Sequence, residues 1–142
     1  MEIGIEPARK LSAAYTAMCK PLCQQLKLPQ TAFDILLFLG NNPQYRTASD
    51  VVEIRKIKAN LVSVNVEKLV QEGYLQREVV VGDRRKTQLV CTEKAQPVIA
   101  QGRQLQKEFG DRLLMGVNES DKACFLRVLK QMEENVEQLL EQ

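Results

Sequence analysis

The stretch RTASDVVEIRKIKANLVSVNVEKLVQEGYL, from Arg46 to Leu75, predicts two short helices joined by a tight turn. Thr47 and Asp50 have the three-residue spacing of a capping box, with Asp in place of Glu, at the start of the first helix. The segment KIK is the predicted turn. The second helix runs from about Ala59 to Glu72, and Gly73 follows it with a residue type that tolerates the left-handed conformation. This arrangement is typical of a helix-turn-helix.

The residues that follow predict a β-hairpin. Two runs rich in β-branched and apolar residues, YLQREVVV and KTQLVC, flank the segment GDRR. A hairpin tip needs glycine for its backbone angles but has no need of arginine. A helix-turn-helix followed by a hairpin is a winged helix, whose second helix enters the major groove of DNA. Arg84 and Arg85 at the tip would then meet the negative potential of a narrow minor groove.

Helices are predicted on both sides of this winged helix. Apolar residues recur every three or four positions from Pro7 to Leu26, with a kink or break expected at Pro21. A second helix begins with Pro29 in its first turn, and its LLFL segment is expected to be buried. Thr92 is expected to cap a long helix whose first half is weakened by Pro97 and Gly102.

The last helix, with Asn118 as its expected cap, carries an apolar stripe almost to the end of the chain. The stripe consists of Phe125, Val128, Leu129, Met132, Val136, Leu139 and Leu140. Such a stripe needs a partner surface, and apolar helices at both ends of a chain predict a homodimer. The predicted fold is therefore mainly α with a small β-wing. Residues 1–142 form one domain, with a winged helix-turn-helix core at 29–92 and helical dimerisation regions at 1–28 and 93–142.

Composition narrows the class of protein. The 142 residues are 44% hydrophobic but only 5% aromatic, so the core must be mostly aliphatic. No apolar run approaches the ~20 residues of a membrane helix, and the start lacks a signal-peptide pattern, so a cytoplasmic protein without a membrane partner is expected. Histidine is absent, and the four cysteines lack a zinc-site spacing, so no metal is predicted. Since nucleotide-binding and nucleophile motifs are also absent, neither an enzyme nor a cofactor is expected.

Charge is distributed unevenly along the chain. Between Ile54 and Lys86 there are eight basic and four acidic residues, a balance of +4. From Lys107 onward, five basic and eight acidic residues give −3. A basic middle between neutral or acidic flanks is typical of a segment that meets phosphates, and ordinary surface variation is the alternative.

The wing segment DRRKTQLVCTEKA resembles that of the MarR family of bacterial transcription regulators. Asp83 and Arg85 match the family's D-x-R, and Leu89 matches the aliphatic residue that follows it. Thr92 matches the threonine of the family's LT-x-x-G, whereas Ala95 replaces its glycine and an earlier D-x-R is missing. VSVNVEKLVQEGYLQR is similar to the family's recognition helix and the strand after it. The resemblance covers nearly the whole chain. It implies a homodimer on a pseudo-palindromic operator in double-stranded DNA, often released by a small-molecule effector or by cysteine oxidation.

The predicted recognition helix has two faces when its residues are placed about 100° apart. The face expected to pack on the domain consists of Val62, Val66, Leu69 and Val70. The opposite face carries Asn60, Val64, Lys68 and Gln71, bordered by Ser63 and Glu67. An asparagine amide pairs with adenine and a valine methyl contacts the thymine methyl, whereas Ser63 and Lys68 can reach phosphates. For Lys68 and Gln71 a solvated face is the alternative. The residues predicted to bind DNA are Lys58, Asn60, Ser63, Val64, Lys68, Arg84, Arg85 and Lys86.

Two further sites are predicted. Cys23 has Lys20 and Lys27 at helical spacing and is the best candidate for a redox-sensing thiol, which must be exposed and of low pKa. A buried core thiol is the alternative for Cys23. The candidates for an effector pocket are Tyr15, Phe33 and Phe38. Core packing is the alternative for each aromatic residue.

The predicted function is that of a sequence-specific DNA-binding transcriptional regulator, a repressor acting as a homodimer. A winged helix can instead serve as a protein–protein interaction module without specific DNA binding, because a fold does not determine a function. The wing arginines and the low acidity of the recognition helix favour DNA.

Overall fold

The computed structural model describes residues 2–142, and of Arg84 and Arg85 it describes only the backbone. The elements are, in chain order, α1 (Glu6–Leu26), α2 (Gln30–Asn41), α3 (Ala48–Arg55), α4 (Ala59–Gln71), β1 (Leu75–Val80), β2 (Asp83–Cys91), α5 (Ala95–Leu113) and α6 (Glu119–Leu140). The predicted fold class, mainly α with a small β-wing, is confirmed. The chain forms two compact units, residues 1–107 and 108–142. Across residues 2–142, no helix is long and apolar enough to cross a membrane.

The core of the first unit centres on α2, which is apolar on most of its surface. The LLFL segment is buried, as predicted, and so is Phe33. A helix that is apolar all round must be covered by neighbouring elements. The side chains that cover it include Cys19 of α1, Val51 of α3, Leu69 of α4 and Ile99 of α5.

Two glycines allow α5 to lie directly against α2. A Cβ atom added to Gly102 would meet Leu37 Cδ1 at 2.7 Å, and one added to Gly40 would meet Ile99 Cδ1 at 2.7 Å. Gly102 was expected to weaken its helix. The structure shows why the helix contains it, since any larger residue would push α5 away from the core.

The helix-turn-helix forms where it was predicted. Thr47 Oγ1 accepts a hydrogen bond from Asp50 N at 3.1 Å, and Asp50 Oδ2 accepts one from Thr47 N at 3.1 Å, which completes the capping box. Burial raises the pKa of Asp50, but hydrogen bonds from the backbone of Arg46 and Thr47 and the charge of Lys86 outweigh it, so the pKa lies below its usual value. Gly73 follows α4 with φ +82°, the left-handed conformation expected of it.

The hairpin is confirmed, but its turn is not the GDRR segment. β1 and β2 pair antiparallel from Leu75 opposite Cys91 to Val80 opposite Asp83. The turn is therefore Val81–Gly82, with Gly82 at φ +90°, and Asp83 already belongs to β2. Glycine adopts this positive φ without steric cost.

One local expectation was wrong, and of the kink or break expected at Pro21 the break does not occur. Thr92 does not cap α5, which begins at Ala95; its hydroxyl donates to Gly73 O at 2.6 Å and Tyr74 O at 3.2 Å, so it closes the base of the wing. Pro21 does not break α1, which is continuous across it. Proline removes one backbone hydrogen bond, and the buried Cys19 and Cys23 on either side hold the helix against the core.

The second unit contains α6, which begins as predicted. Asn118 Oδ1 accepts a hydrogen bond from Asp121 N at 2.8 Å and caps the helix. The structure describes every residue of α6, and none of them is buried within the protomer. Its predicted apolar stripe is accordingly accessible, with Met132 46% and Leu139 65% exposed.

Candidate nucleic-acid interface

The two faces of α4 are those predicted from its periodicity. The core of the first unit, to which α4 belongs, buries Val62, Val66 and Leu69, and Val70 is half-buried. Asn60, Ser63 and Val64 are exposed, and Val64 has 67% of its surface accessible. A partner that covered this valine would remove apolar surface from water, which is favourable by about 25 cal/mol per Å².

Lys58 and Lys86 extend this surface on two sides. Lys58 is exposed and stands immediately before α4, where its carbonyl accepts the first helical hydrogen bond from Val62 N at 3.0 Å. Lys86 is exposed on β2, close enough to Asp50 for its charge to lower the pKa of that carboxyl. The wing and the start of α4 therefore each present a cation. The predicted contacts of the Arg84 and Arg85 side chains lie outside the described part of the structure.

Lys68 is placed differently from the other candidates on α4. It is half-buried and its Nζ lies 2.9 Å from Glu72 Oε1. A helix turns about 400° in four residues, so positions spaced by four drift around it by about 40° each time. Lys68 is thus rotated by about 80° from Asn60, and it lines a groove together with residues of α1. Its predicted role as a phosphate ligand stays a prediction.

Two polar side chains near this surface were not singled out from the sequence. Asn65 is 8% exposed and its Nδ2 donates to Leu61 O at 2.8 Å within α4. Arg77 on β1 places Nη2 2.8 Å from Glu67 Oε2 on α4. The alternation of β1 carries a signal for Arg77, because Arg77 is paired with the buried Leu89 and so lies on the sheet face turned toward the helices.

The structure contradicts the premise on which Cys23 was chosen as a redox thiol. Cys23 is 7% exposed, and its Sγ lies 3.7 Å from Gln30 Oε1. Burial, with smaller contributions from Cys19 and Asp34, raises the pKa of Cys23 to about 11. The prediction rested on Lys20 and Lys27, which lie near Cys23 in the sequence, whereas the pKa shift is set by burial. A buried protonated thiol is a poor nucleophile.

The predicted effector pocket is partly assembled. Tyr15 and Phe38 line one cavity of about 290 Å³, together with Asp34, Leu37, Asn41, Asn42, Arg55 and Gln106. Phe33 does not line it and is fully buried in the core. The Tyr15 hydroxyl accepts a hydrogen bond from Gln106 Nε2 at 3.2 Å, and burial raises the pKa of Tyr15 to about 12. Arg55 Nη2 lies 3.8 Å from Asp34 Oδ2, so the cavity presents both a cation and an anion.

Proteins similar to this chain in sequence and in structure include MarR-family and other HTH-type transcriptional regulators. The family model described as the MarR family matches residues 26–86. A curated relative, the HTH-type transcriptional regulator BilQ of Clostridium symbiosum, is 22% identical over 118 residues, 83% of this chain and 81% of the relative. A MarR family regulator from Listeria monocytogenes, solved in complex with a 26mer DNA, is 20% identical with a TM-score of 0.86, covering 96% of this chain and 90% of that chain. A MarR regulator from Methanosarcina mazei Go1 is 19% identical with a TM-score of 0.83, covering 94% and 96% of the two chains.

Proposed function

We propose that this chain is a winged helix-turn-helix transcriptional regulator of the MarR family, and that it acts as a cytoplasmic, homodimeric repressor that binds a pseudo-palindromic operator. In this proposal residues 29–92 form the DNA-binding core, and residues 1–28 and 93–142 form the dimerisation region. The related regulator from Listeria monocytogenes was solved with DNA, and DNA is the partner we propose for this chain.

The observation that carries the proposal is the exposed face of α4. Asn60, Ser63 and the 67% exposed Val64 lie on the side away from the core. The major groove admits an α-helix and offers adenine edges and thymine methyl groups to such side chains. A partner protein would favour a larger apolar patch, because the buried centres of protein interfaces are depleted of charge and enriched in aromatic residues.

Charge and hydropathy support a homodimer. α6 exposes apolar side chains along its length, and it contains five acidic and three basic residues. A broad groove of about 930 Å³ runs along α1, and Arg9, Lys20, Lys27 and Lys68 are among its lining residues. A second copy of the chain supplies an acidic, apolar helix that complements a basic groove of this kind. A dimer also presents two recognition helices to the two halves of an operator.

For release from DNA, we favour a small polar molecule bound in the cavity that Tyr15 and Phe38 line. The ion pair of Asp34 with Arg55, the latter at the end of α3, connects this cavity to the helix-turn-helix. A ligand that binds Asp34 or Arg55 would replace one partner of this ion pair and so change a contact of α3. Isothermal titration with candidate ligands on wild type and on Arg55→Met tests this, since loss of binding in the variant is expected.

The decisive test of the whole proposal is fluorescence anisotropy with the intergenic DNA flanking the protein's own gene, compared with a scrambled duplex of equal length. We expect binding at least about a thousandfold tighter to the operator-containing DNA than to the scrambled duplex. Equal affinity for the two duplexes, at every salt concentration tried, would favour the alternative of a protein–protein interaction module.

A further inference from the structure

The helix proposed to read DNA carries one acidic residue. Glu67 is the single carboxylate in the α4 sequence ANLVSVNVEKLVQ, and its side chain is 51% exposed at the border of the exposed face. It lies three residues beyond Val64, close to one turn further along the helix. A bare carboxylate beside the phosphates of DNA would repel them, because like charges brought together at an interface weaken binding.

The structure provides a specific partner for this carboxylate. Arg77 Nη2 lies 2.8 Å from Glu67 Oε2, and Gln71 Nε2 donates to Glu67 Oε1 at 3.3 Å. Arg77 comes from β1, so the contact joins the base of the wing to the recognition helix. Arg77 also lines a cavity of about 370 Å³ between α3, α4 and the hairpin, together with Thr87 and Leu89.

The pair has little to contribute to folding. Both side chains are about half exposed, at 43% for Arg77 and 51% for Glu67. Exposed ion pairs of this kind contribute about 0–1 kcal/mol to the stability of a protein. Because the pair lies beside the proposed DNA surface, we expect it to affect DNA binding more than it affects stability.

We propose that Arg77 is a positioning residue that masks the charge of Glu67, so that α4 can approach the phosphate backbone. This inference rests on the proposed DNA-binding function. In the masked state the pair adds no net charge to the surface, and Asn60, Ser63 and Val64 meet the groove without repulsion from Glu67. Removal of the guanidinium alone exposes a negative charge, and removal of both charges restores a neutral surface.

The test is a double-mutant cycle measured by operator binding at fixed salt, with four variants: Arg77→Met, Glu67→Gln, both together, and Arg77→Lys. Methionine keeps much of the aliphatic packing in the cavity. We expect Arg77→Met to weaken binding by about tenfold, Arg77→Lys to stay near wild type, and the double variant to recover to within about threefold of wild type. Glu78→Gln is the matched control, because Glu78 is exposed on the other face of β1 from Arg77, so its loss removes one carboxylate from the same strand and should not change binding.

The cycle separates masking from the two other roles of an arginine at this position. If Arg77 contacts phosphate itself, the double variant stays as weak as Arg77→Met, and the proposal is overturned. If the pair is only a brace, Glu67→Gln weakens binding as much as Arg77→Met and both lower the melting temperature, which also overturns it. Wild-type protein that fails to bind any duplex would instead defeat the proposed function and not this inference in particular.

Discussion

α4 and α6 both expose apolar side chains, but they do so in different chemical surroundings. On α4 the exposed large apolar residues are Val64, at 67%, and Leu61, at 45%, beside the polar Asn60 and Ser63. On α6 the exposed apolar residues form a continuous stripe that includes Val128, at 50% exposure, and Leu140, at 56%. A few apolar side chains among polar ones fit a polar partner with scattered methyl groups, such as the major groove of DNA. A long stripe fits another apolar helix, because soluble monomers rarely leave such patches uncovered.

The largest effect is expected from breaking the stripe of α6. Met132→Lys together with Val136→Lys places two charges in it, and we expect the protein to become a monomer at micromolar concentration. Specific DNA binding should then fall by about a hundredfold or more, because two linked recognition helices bind far more tightly than one. Light scattering and anisotropy on the same samples measure the two effects.

The control for this variant uses the neighbouring polar positions. Gln131 Nε2 donates to Asn135 Oδ1 at 3.1 Å on the surface of α6, one residue before the apolar pair. Gln131→Lys with Asn135→Lys adds the same charges with the same spacing and should leave a dimer. If both double variants are monomers, net charge and not the stripe controls assembly, and the contrast between α4 and α6 loses its basis.

The next effect is expected at the wing. Arg84→Ala together with Arg85→Ala should weaken operator binding by about tenfold or more. The salt dependence should flatten by about 0.9 in log–log slope for each phosphate that the variant no longer neutralises. Circular dichroism should show an intact fold. Arg127→Ala with Lys130→Ala removes two positive charges from α6 instead, and should leave the salt dependence unchanged. Equal weakening in the two double variants would mean that overall charge, and not the hairpin, attracts DNA.

Structural features were predictable from the sequence when the residues that cause them are close together in the chain. The capping box of Thr47 and Asp50 and the end of α4 at Gly73 involve neighbours in the chain, and both were predicted correctly. The phase of α4 followed from its periodicity. The pairing of Arg77 with Glu67 was missed because it depends on the register of β1 against β2 and on the packing of that hairpin on α4.

The wrong expectations have the same origin. Thr92 has the residue type of a helix cap, but its hydroxyl binds carbonyl groups some eighteen residues earlier, at Gly73 and Tyr74. Cys23 has two lysines at helical spacing, but its sulfur is buried between α1 and α2, where desolvation raises its pKa. Sequence spacing shows which residues share a helix face, but not what covers that face.

A smaller effect, on preference and not on overall affinity, is expected from the exposed face of α4. Asn60→Ala removes an amide able to make two bonds to adenine and should cost roughly 1–3 kcal/mol at one base pair. Val64→Ala should act more weakly, because it removes only methyl groups that would touch a thymine methyl. Binding-site selection from a random library on wild type and both variants measures this. An unchanged motif in Asn60→Ala would show that this side chain does not specify the operator.

Lys68 offers a contrast on the same helix. Because it pairs with Glu72 at 2.9 Å and is half-buried toward α1, Lys68→Ala should weaken all sequences alike, by about threefold or less, and leave the selected motif unchanged. A changed motif in this variant would place the DNA-reading surface further around α4 than the Asn60 and Val64 positions indicate.

The smallest effect is expected at Cys23, where the structure argues against oxidative control. With the pKa of Cys23 raised to about 11 by burial, only about one thiol in ten thousand is a thiolate at neutral pH. Cys23→Ala should therefore bind the operator as wild type does, before and after mild peroxide treatment. Alkylation followed by mass spectrometry should label Cys124, exposed on α6, well before Cys23. Because the folded pKa lies above the ordinary value of 9.0, the unfolded state loses this proton first, and stability should fall as pH rises above about 9. Rapid labelling of Cys23 at neutral pH, with loss of DNA binding, would restore it as a redox sensor.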